Sequence, residues 1–203
     1  MRAPTHRYVV AKRVIDVGVC FALLAIAIPV LALCALAIAV DSRGPVLLAQ
    51  ERTGRDGRRF RMLKLRSMLA NAEELKAELA HLSVLPPPDF KIPDDPRITR
   101  VGRFLRETSL DELPQLFNVL RGDMSLVGPR PTSFSPDTYE LWHTHRLDVP
   151  PGITGLWQIE GRNVTTFDER LRLDVQYIRR RSLLFDLQLL GRTVLAVVRR
   201  SGA

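Results

Sequence analysis

The feature that most constrains this chain is an uncharged run of 24 residues, Val17 to Val40, bounded by Asp16 and Asp41. As one helix it would be about 36 Å long, enough to cross a hydrocarbon core of about 30 Å. Pro29 lies at its centre, where a proline removes one backbone hydrogen bond and bends a helix. Divided there, each arm reaches only about 16–18 Å, roughly half a bilayer. The arms would then enter and leave on the same side. Basic residues flank both ends, with Arg2, Arg7, Lys12 and Arg13 before the run, as expected if both ends stay on one face. Proline-containing helices also span membranes. The residues alone leave both arrangements open.

Charge narrows the partners. The 203 residues carry a formal net charge of +8 with a pI near 10.3. A phosphorylated substrate, an anionic membrane or a nucleic acid would answer such a surface. Arginine far outnumbers lysine, which suits bidentate phosphate contacts, although a GC-rich genome gives the same bias. The two cysteines, Cys20 and Cys34, fall inside the apolar run and read as small buried residues in a reducing compartment. No signal-peptide cleavage pattern follows that run, so it is expected to stay attached. The expected organisation is a basic segment and membrane helix over 1–41, and one catalytic domain over 42–203.

Local signals predict an α+β fold, mostly helical, with one small β-hairpin. Strands are expected over 46–52 and 58–65, joined through Gly54-Arg55-Asp56-Gly57, whose Asp-Gly pair is a hairpin turn signal. Residues 69–82 have the period of an amphipathic helix with Leu75, Leu79 and Leu82 as its stripe. The prolines of 86–88 and 93–96 mark an extended connector. A short helix is expected over 139–143. The stretch 150–155 reads as a turn-rich loop, 167–178 as a helix, and Ser182 as the cap of a final apolar helix. That helix carries Leu183, Leu184, Leu187, Leu190, Val194 and Val198 on one side, to be packed on the core or laid in anionic headgroups. His143 and His145 have no third ligand nearby and are assigned no metal.

The chemistry centres on Arg106-Glu107-Thr108-Ser109-Leu110-Asp111-Glu112-Leu113-Pro114-Gln115. Ser109-x-x-Glu112 has the form of a capping box, and Pro114 fits a first turn. A helix is therefore expected to begin near Asp111 and pack Leu113, Leu116, Phe117 and Leu120 inward. Two adjacent carboxylates at a helix mouth can simply answer the macrodipole. Here they stand near Arg106 and the Gly128-Pro129-Arg130-Pro131 turn, and guanidinium groups bind phosphate. Carboxylates in such company would repel a phosphate unless one attacks phosphorus or both hold a metal.

The stretch Ser109 to Pro131, continued by Pro151-Gly152-Ile153-Thr154-Gly155 and Gly161-Arg162-Asn163, resembles the signature of bacterial sugar transferases, the small monotopic polyprenyl-phosphate phosphoglycosyl transferases. The resemblance runs from Lys12 onward. It implies that Asp111 attacks the sugar-bearing phosphate of a UDP-sugar, releases UMP, and passes sugar-1-phosphate to a polyprenyl (undecaprenyl) phosphate. Glu112 would hold Mg2+ with Asp111 or tune its neighbour. Arg106, Lys64, Arg66, Arg130 and Arg162 would neutralise the diphosphate. The family's re-entrant helix breaks at a Ser-Pro pair, and Ile28-Pro29 stands in its place here. The resemblance also implies the cytoplasmic face of a bacterial inner membrane, contact with anionic lipids, no nucleic-acid partner, and leaves room for a homodimer. Gly155-Leu156-Trp157-Gln158 looks more like the hexose-phosphate branches than the acetamido-sugar ones. Two other classes fit parts of the sequence: a membrane-anchored basic adaptor without catalysis, which leaves the carboxylate pair unexplained, and a glycosyltransferase releasing UDP.

Overall fold

The computed structural model describes residues 5–84, 90–134, 140–160 and 166–198. Its dominant element is helix α1, His6–Asp41, capped by Thr5, whose hydroxyl accepts from the Tyr8 amide. Along it one stripe is buried: Asp16, Cys20, Leu24, Ala27, Cys34 and Ile38. Steps of three, four and seven residues put these on a single face. The opposite face exposes Phe21, Leu23, Ile26, Ile28, Leu33, Leu36 and Val40. The helix continues through Ile28-Pro29 without a non-helical residue, so the expected break there is not a loss of helix. A proline deletes only its own N–H bond, and the rest of the ladder, with no competing solvent on an apolar helix, keeps the segment helical.

Strands β1 (Leu47–Thr53) and β2 (Arg59–Leu65) form the predicted antiparallel hairpin, in register from Leu47↔Leu65 to Thr53↔Arg59. Asp56 and Gly57, with φ of 55° and 75°, supply the left-handed turn. The helix predicted over 69–82 is reduced to α2 (Leu75–Glu78) and a 3₁₀ turn, Ala80–Leu82. Leu75 and Leu79 are half-buried and Leu82 is exposed, so the stripe is covered only in part and the segment lacks the packing that holds a short helix together. Helix α3 (Arg100–Glu107), not anticipated, is capped by Thr99 and closes on β2 through Gly102. A Cβ at Gly102 would stand 2.0 Å from the Ser67 carbonyl oxygen.

After α3 the chain departs from expectation. Ser109 adopts a left-handed conformation, φ 57°, and its side chain caps nothing. Leu110–Glu112 form a 3₁₀ turn, and helix α4 begins later, at Gln115–Arg121, with Pro114 ahead of it. The inward face is Gln115, Leu116, Asn118 and Val119, whereas Phe117 turns outward. The delayed start explains the rotation, since the 3₁₀ turn advances about 120° per residue and not 100°. Beyond α4, β3 (Ser125–Val127) pairs in parallel with β4 (Gly152–Thr154), where a loop was expected. Gly152 makes this approach feasible: a Cβ there would lie 2.1 Å from the Gly128 nitrogen.

The predicted short helix over 139–143 is a longer 3₁₀ segment, Leu141–Asp148, with Tyr139 outside the described residues. Then follow α5 (Leu156–Glu160), α6 (Phe167–Arg180), with a Thr166/Glu169 capping box, and α7 (Leu183–Val198). Ser182 accepts from the Phe185 amide at 3.2 Å, the cap expected for α7. The α7 stripe, however, splits. Leu184, Leu187 and Val194 are exposed, Leu184 to 68%, while Asp186 and Leu189 face inward.

One core gathers Cys20, Leu24 and Ala27 of α1 with Met62, Leu116, Val119, Leu126, Leu156, Tyr177 and Leu189. A smaller one joins Cys34 and Ile38 to Leu65 and Leu105. Each fully buried aliphatic side chain stabilises by about 1.5–3 kcal/mol. Helix α1 thus packs on the rest of the fold along both halves of its length.

Candidate active site

The dyad sits where the 3₁₀ turn before α4 meets the C-terminal end of β2, at Lys64. Asp111 is 5% exposed and Glu112 half-buried. Glu112 Oε1 accepts from Arg130 Nη2 at 2.7 Å and from Lys64 Nζ at 3.1 Å. Lys64 Nζ also reaches Asp111 Oδ2, at 3.5 Å. One ammonium therefore bridges both carboxylates, and one guanidinium holds Glu112 alone. The two acids separate in ionisation as a result. Burial opposes the charge on Glu112, but Arg130 and Lys64 outweigh it and hold the carboxyl down at about 2. Burial pushes Asp111 up, and the neighbouring Glu112 adds to this, against Lys64 and Arg106.

Three contacts fix this geometry. Asn118, fully buried at 0% exposure, takes the Leu63 amide on Oδ1 at 2.9 Å and donates from Nδ2 to the Arg61 carbonyl at 2.8 Å. It supplies β2 with the partners a neighbouring strand would give, and so sets Lys64 against the dyad. Arg13 of α1 donates to the Val119 and Leu120 carbonyls at 2.5 and 2.8 Å, satisfying orphan acceptors at the negative end of α4. The turn that carries Arg130 is tied to β4, with the Gly128 amide on Thr154 O at 2.9 Å and the Gly152 amide on Pro129 O at 2.8 Å.

Of the residues singled out from the sequence, Asp111, Glu112, Lys64 and Arg130 come together directly. Arg106 donates from Nε to Ser67 Oγ at 2.9 Å, and its charge acts on Asp111. Arg66 is buried and directs Nη2 to the Ser42 carbonyl and hydroxyl, at 2.5 and 3.0 Å, where α1 ends. Gly44 packs against its Nη1, so its recorded bonds tie α1 to β2 and not to the dyad. Arg162 lies outside the described residues. Sequence reasoning missed Asn118, whose signal was a polar residue on the inward face of an apolar helix. It also missed Arg52, half-buried on β1, whose charge is opposed first by burial and then by nearby Arg130 and Arg59. Trp157 is half-buried with the Arg170 guanidinium 5.6 Å from its ring centroid. His143 lies 3.3 Å from Asp168, and among the described residues no group of three or more His, Cys, Asp or Glu side chains could enclose a metal.

The site is thus a buried, cation-bridged carboxylate pair within a fold whose long first helix exposes an apolar face. The chain belongs to the bacterial sugar transferase family, whose model matches residues 7–200. It is 43% identical over 197 residues to the undecaprenyl-phosphate galactose phosphotransferase of Salmonella typhimurium, covering 95% of this chain and 41% of that one. It is 42% identical over 192 residues to the UDP-glucose:undecaprenyl-phosphate glucose-1-phosphate transferase of Caulobacter vibrioides, covering 90% and 68%. It is 37% identical to the exopolysaccharide production protein ExoY of Rhizobium meliloti, covering 95% and 88%. The chain spans about two-fifths of the Salmonella relative's length and most of the other two.

Proposed function

We propose that this protein transfers hexose-1-phosphate from a UDP-hexose to a polyprenyl phosphate, releasing UMP, with Asp111 as a covalent catalyst. The observation that carries the reading is the division of the dyad. Glu112 is anchored as an anion by Arg130 and Lys64, whereas Asp111 has a single long contact to Lys64 and keeps lone pairs free to react. A carboxylate oxygen of Asp111 attacks the sugar-bearing phosphorus, and the bond to the bridging oxygen breaks. UMP leaves with that electron pair. A phosphate oxygen of the polyprenyl phosphate then attacks the same phosphorus and releases the Asp111 carboxylate. Lys64, Arg106 and Arg130 neutralise the phosphoryl oxygens, the main requirement of phosphoryl transfer. The names of the Salmonella and Caulobacter relatives support the donor and acceptor classes.

The adjacent carboxylates fit Mg2+, an ion that takes one or two carboxylates and completes its shell with water and substrate phosphate. Asp111 and Glu112 would hold it, and it would supply charge neutralisation at the diphosphate.

The membrane arrangement we propose is monotopic, on the cytoplasmic face of a bacterial inner membrane. Near the start of α1, Arg13 bonds α4 and Asp16 accepts from the Ser125 hydroxyl of β3 at 2.6 Å. At its other end Asp41 accepts from the Val101 amide of α3 at 3.2 Å and Ser42 from Arg66. A helix crossing about 30 Å of hydrocarbon would carry one end away from a domain on the other side. Both ends bound to one domain support same-side entry and exit, with the apolar outer face in one leaflet.

The test is incubation with UDP-glucose or UDP-galactose and Mg2+ without acceptor, followed by intact-protein mass measurement. A sugar-phosphate adduct on wild type and none on Asp111→Asn is the expected result. Absence of an adduct, with both substrates required before any product leaves, would leave Asp111 as a metal ligand only. Release of UDP in place of UMP would point to a glycosyltransferase.

A further inference from the structure

A cation that the mechanism above does not use lies behind Arg130. Arg146 belongs to the 3₁₀ segment Leu141–Asp148 and is buried. Its Nη2 donates to the Arg130 carbonyl at 2.5 Å and stands 2.8 Å from Asp174 Oδ2. Asp174 projects from α6 and is 1% exposed. From its other side Arg130 reaches Glu112 at 2.7 Å. The contacts thus run from α6 through the 3₁₀ segment to the main chain of Arg130, and from its guanidinium to the dyad.

Two physical points give this line a purpose beyond packing. Pro129 and Pro131 flank Arg130, so neither neighbour has an amide donor, and the backbone ties of the turn to β4 are made ahead of Arg130, at the Gly128 amide and the Pro129 carbonyl. A buried ion pair is also a poor source of net stability, since apolar residues of similar volume often replace one at no loss. What such a pair can supply is a single geometry.

We infer that Arg146, held by Asp174, is a positioning residue for the transfer reaction, fixing the Arg130 main chain so that its guanidinium meets Glu112. The inference rests on the phosphosugar-transfer reading above.

The experiment is a mutant cycle on the full-length protein in detergent or bilayer discs. UMP release from UDP-glucose or UDP-galactose with undecaprenyl phosphate is measured for wild type and for the paired variant Arg146→Met/Asp174→Leu. Arg130→Ala and the triple variant complete the cycle. The paired replacement removes the latch without stranding a buried charge, and its melting curve is expected to stay near wild type. Its kcat/KM should fall about ten- to a hundredfold, as in Arg130→Ala, because both lose the same charge-assisted contact. The triple variant should be no worse than Arg130→Ala, the non-additivity expected of residues acting through one another. Wild-type turnover in the folded paired variant, or losses that multiply in the triple variant, overturns the inference. Should the paired variant melt early, Arg146→Lys, which keeps the charge but loses the planar fork, is put through the same cycle below its transition. A loss absent in the Arg130→Ala background supports the latch, and an unchanged or multiplying one overturns it. A wild type that releases no UMP overturns the transfer reading together with the inference, whereas failure of the latch alone leaves wild type active.

Discussion

Asn118 Oδ1 accepts the Leu63 amide at 2.9 Å, one residue before the lysine that bridges both carboxylates of the dyad. A buried amide on α4 therefore decides where β2 presents its ammonium. Asn118→Leu would leave the Leu63 N–H and Arg61 C=O unpaired in the core, each at a cost of about 1–3 kcal/mol. We expect a lower melting temperature and, in the protein that remains folded, a lower kcat. Calorimetry and turnover of the same sample test this, and an unchanged kcat would remove Asn118 from the site's geometry.

Arg130→Ala and Arg106→Ala each remove a charge-assisted contact, worth about 1.5–3 kcal/mol. The expected loss is about one to two decades in kcat/KM. Steady-state UMP release by correctly folded variants is the measurement, and wild-type rates would strip the residue of its role.

Asp174 adds a pH dependence to stability. Burial pushes its carboxyl up to about 7 against the pull of Arg146 and Arg170. The ion pair at 2.8 Å favours the charged form, but two fully desolvated groups leave burial the larger influence. With the folded value above the unfolded one, the native state binds the extra proton between about pH 4 and 7. Stability from this group is then fully present below pH 4 and declines as pH rises to 7. Thermal melts of wild type and Asp174→Asn across that range should show the steeper decline in wild type.

Sidedness can be read with cysteines at Arg7 and Arg43 after Cys20 and Cys34 are replaced by alanine. Both positions should be labelled from the cytoplasmic side alone in intact cells and spheroplasts. A position-7 label reached only from outside would restore a spanning helix.

How much of this was legible in the sequence depended on how local the signal was. The hairpin followed from Asp56-Gly57, where backbone conformation is dictated by two adjacent residues. Helix α6 was expected over 167–178 and forms at Phe167–Arg180, with the Thr166/Glu169 capping box as an unread signal for its start. Asp111, Glu112, Lys64 and Arg130 were visible as a constellation, and the structure brings them within hydrogen-bonding reach. The failures are non-local. Leu75, Leu79 and Leu82 have the spacing of a helix face, but the rest of the fold covers that face only in part. Phe117 was placed inward because one left-handed residue, Ser109, shifts the start of α4 and turns its faces. Asn118 and Arg13 act on backbone groups distant in the chain, which no spacing rule could reveal.

Helix α4 is only seven residues, about 10 Å, from end to end. One end is joined through its leading turn to the dyad, and the other is gripped by Arg13 of α1. On the proposed membrane reading, a tilt of α1 in the leaflet would reach Asp111 across that short strut. The rate of UMP release is then expected to vary with the thickness of the surrounding bilayer, and to differ between a detergent micelle and a leaflet.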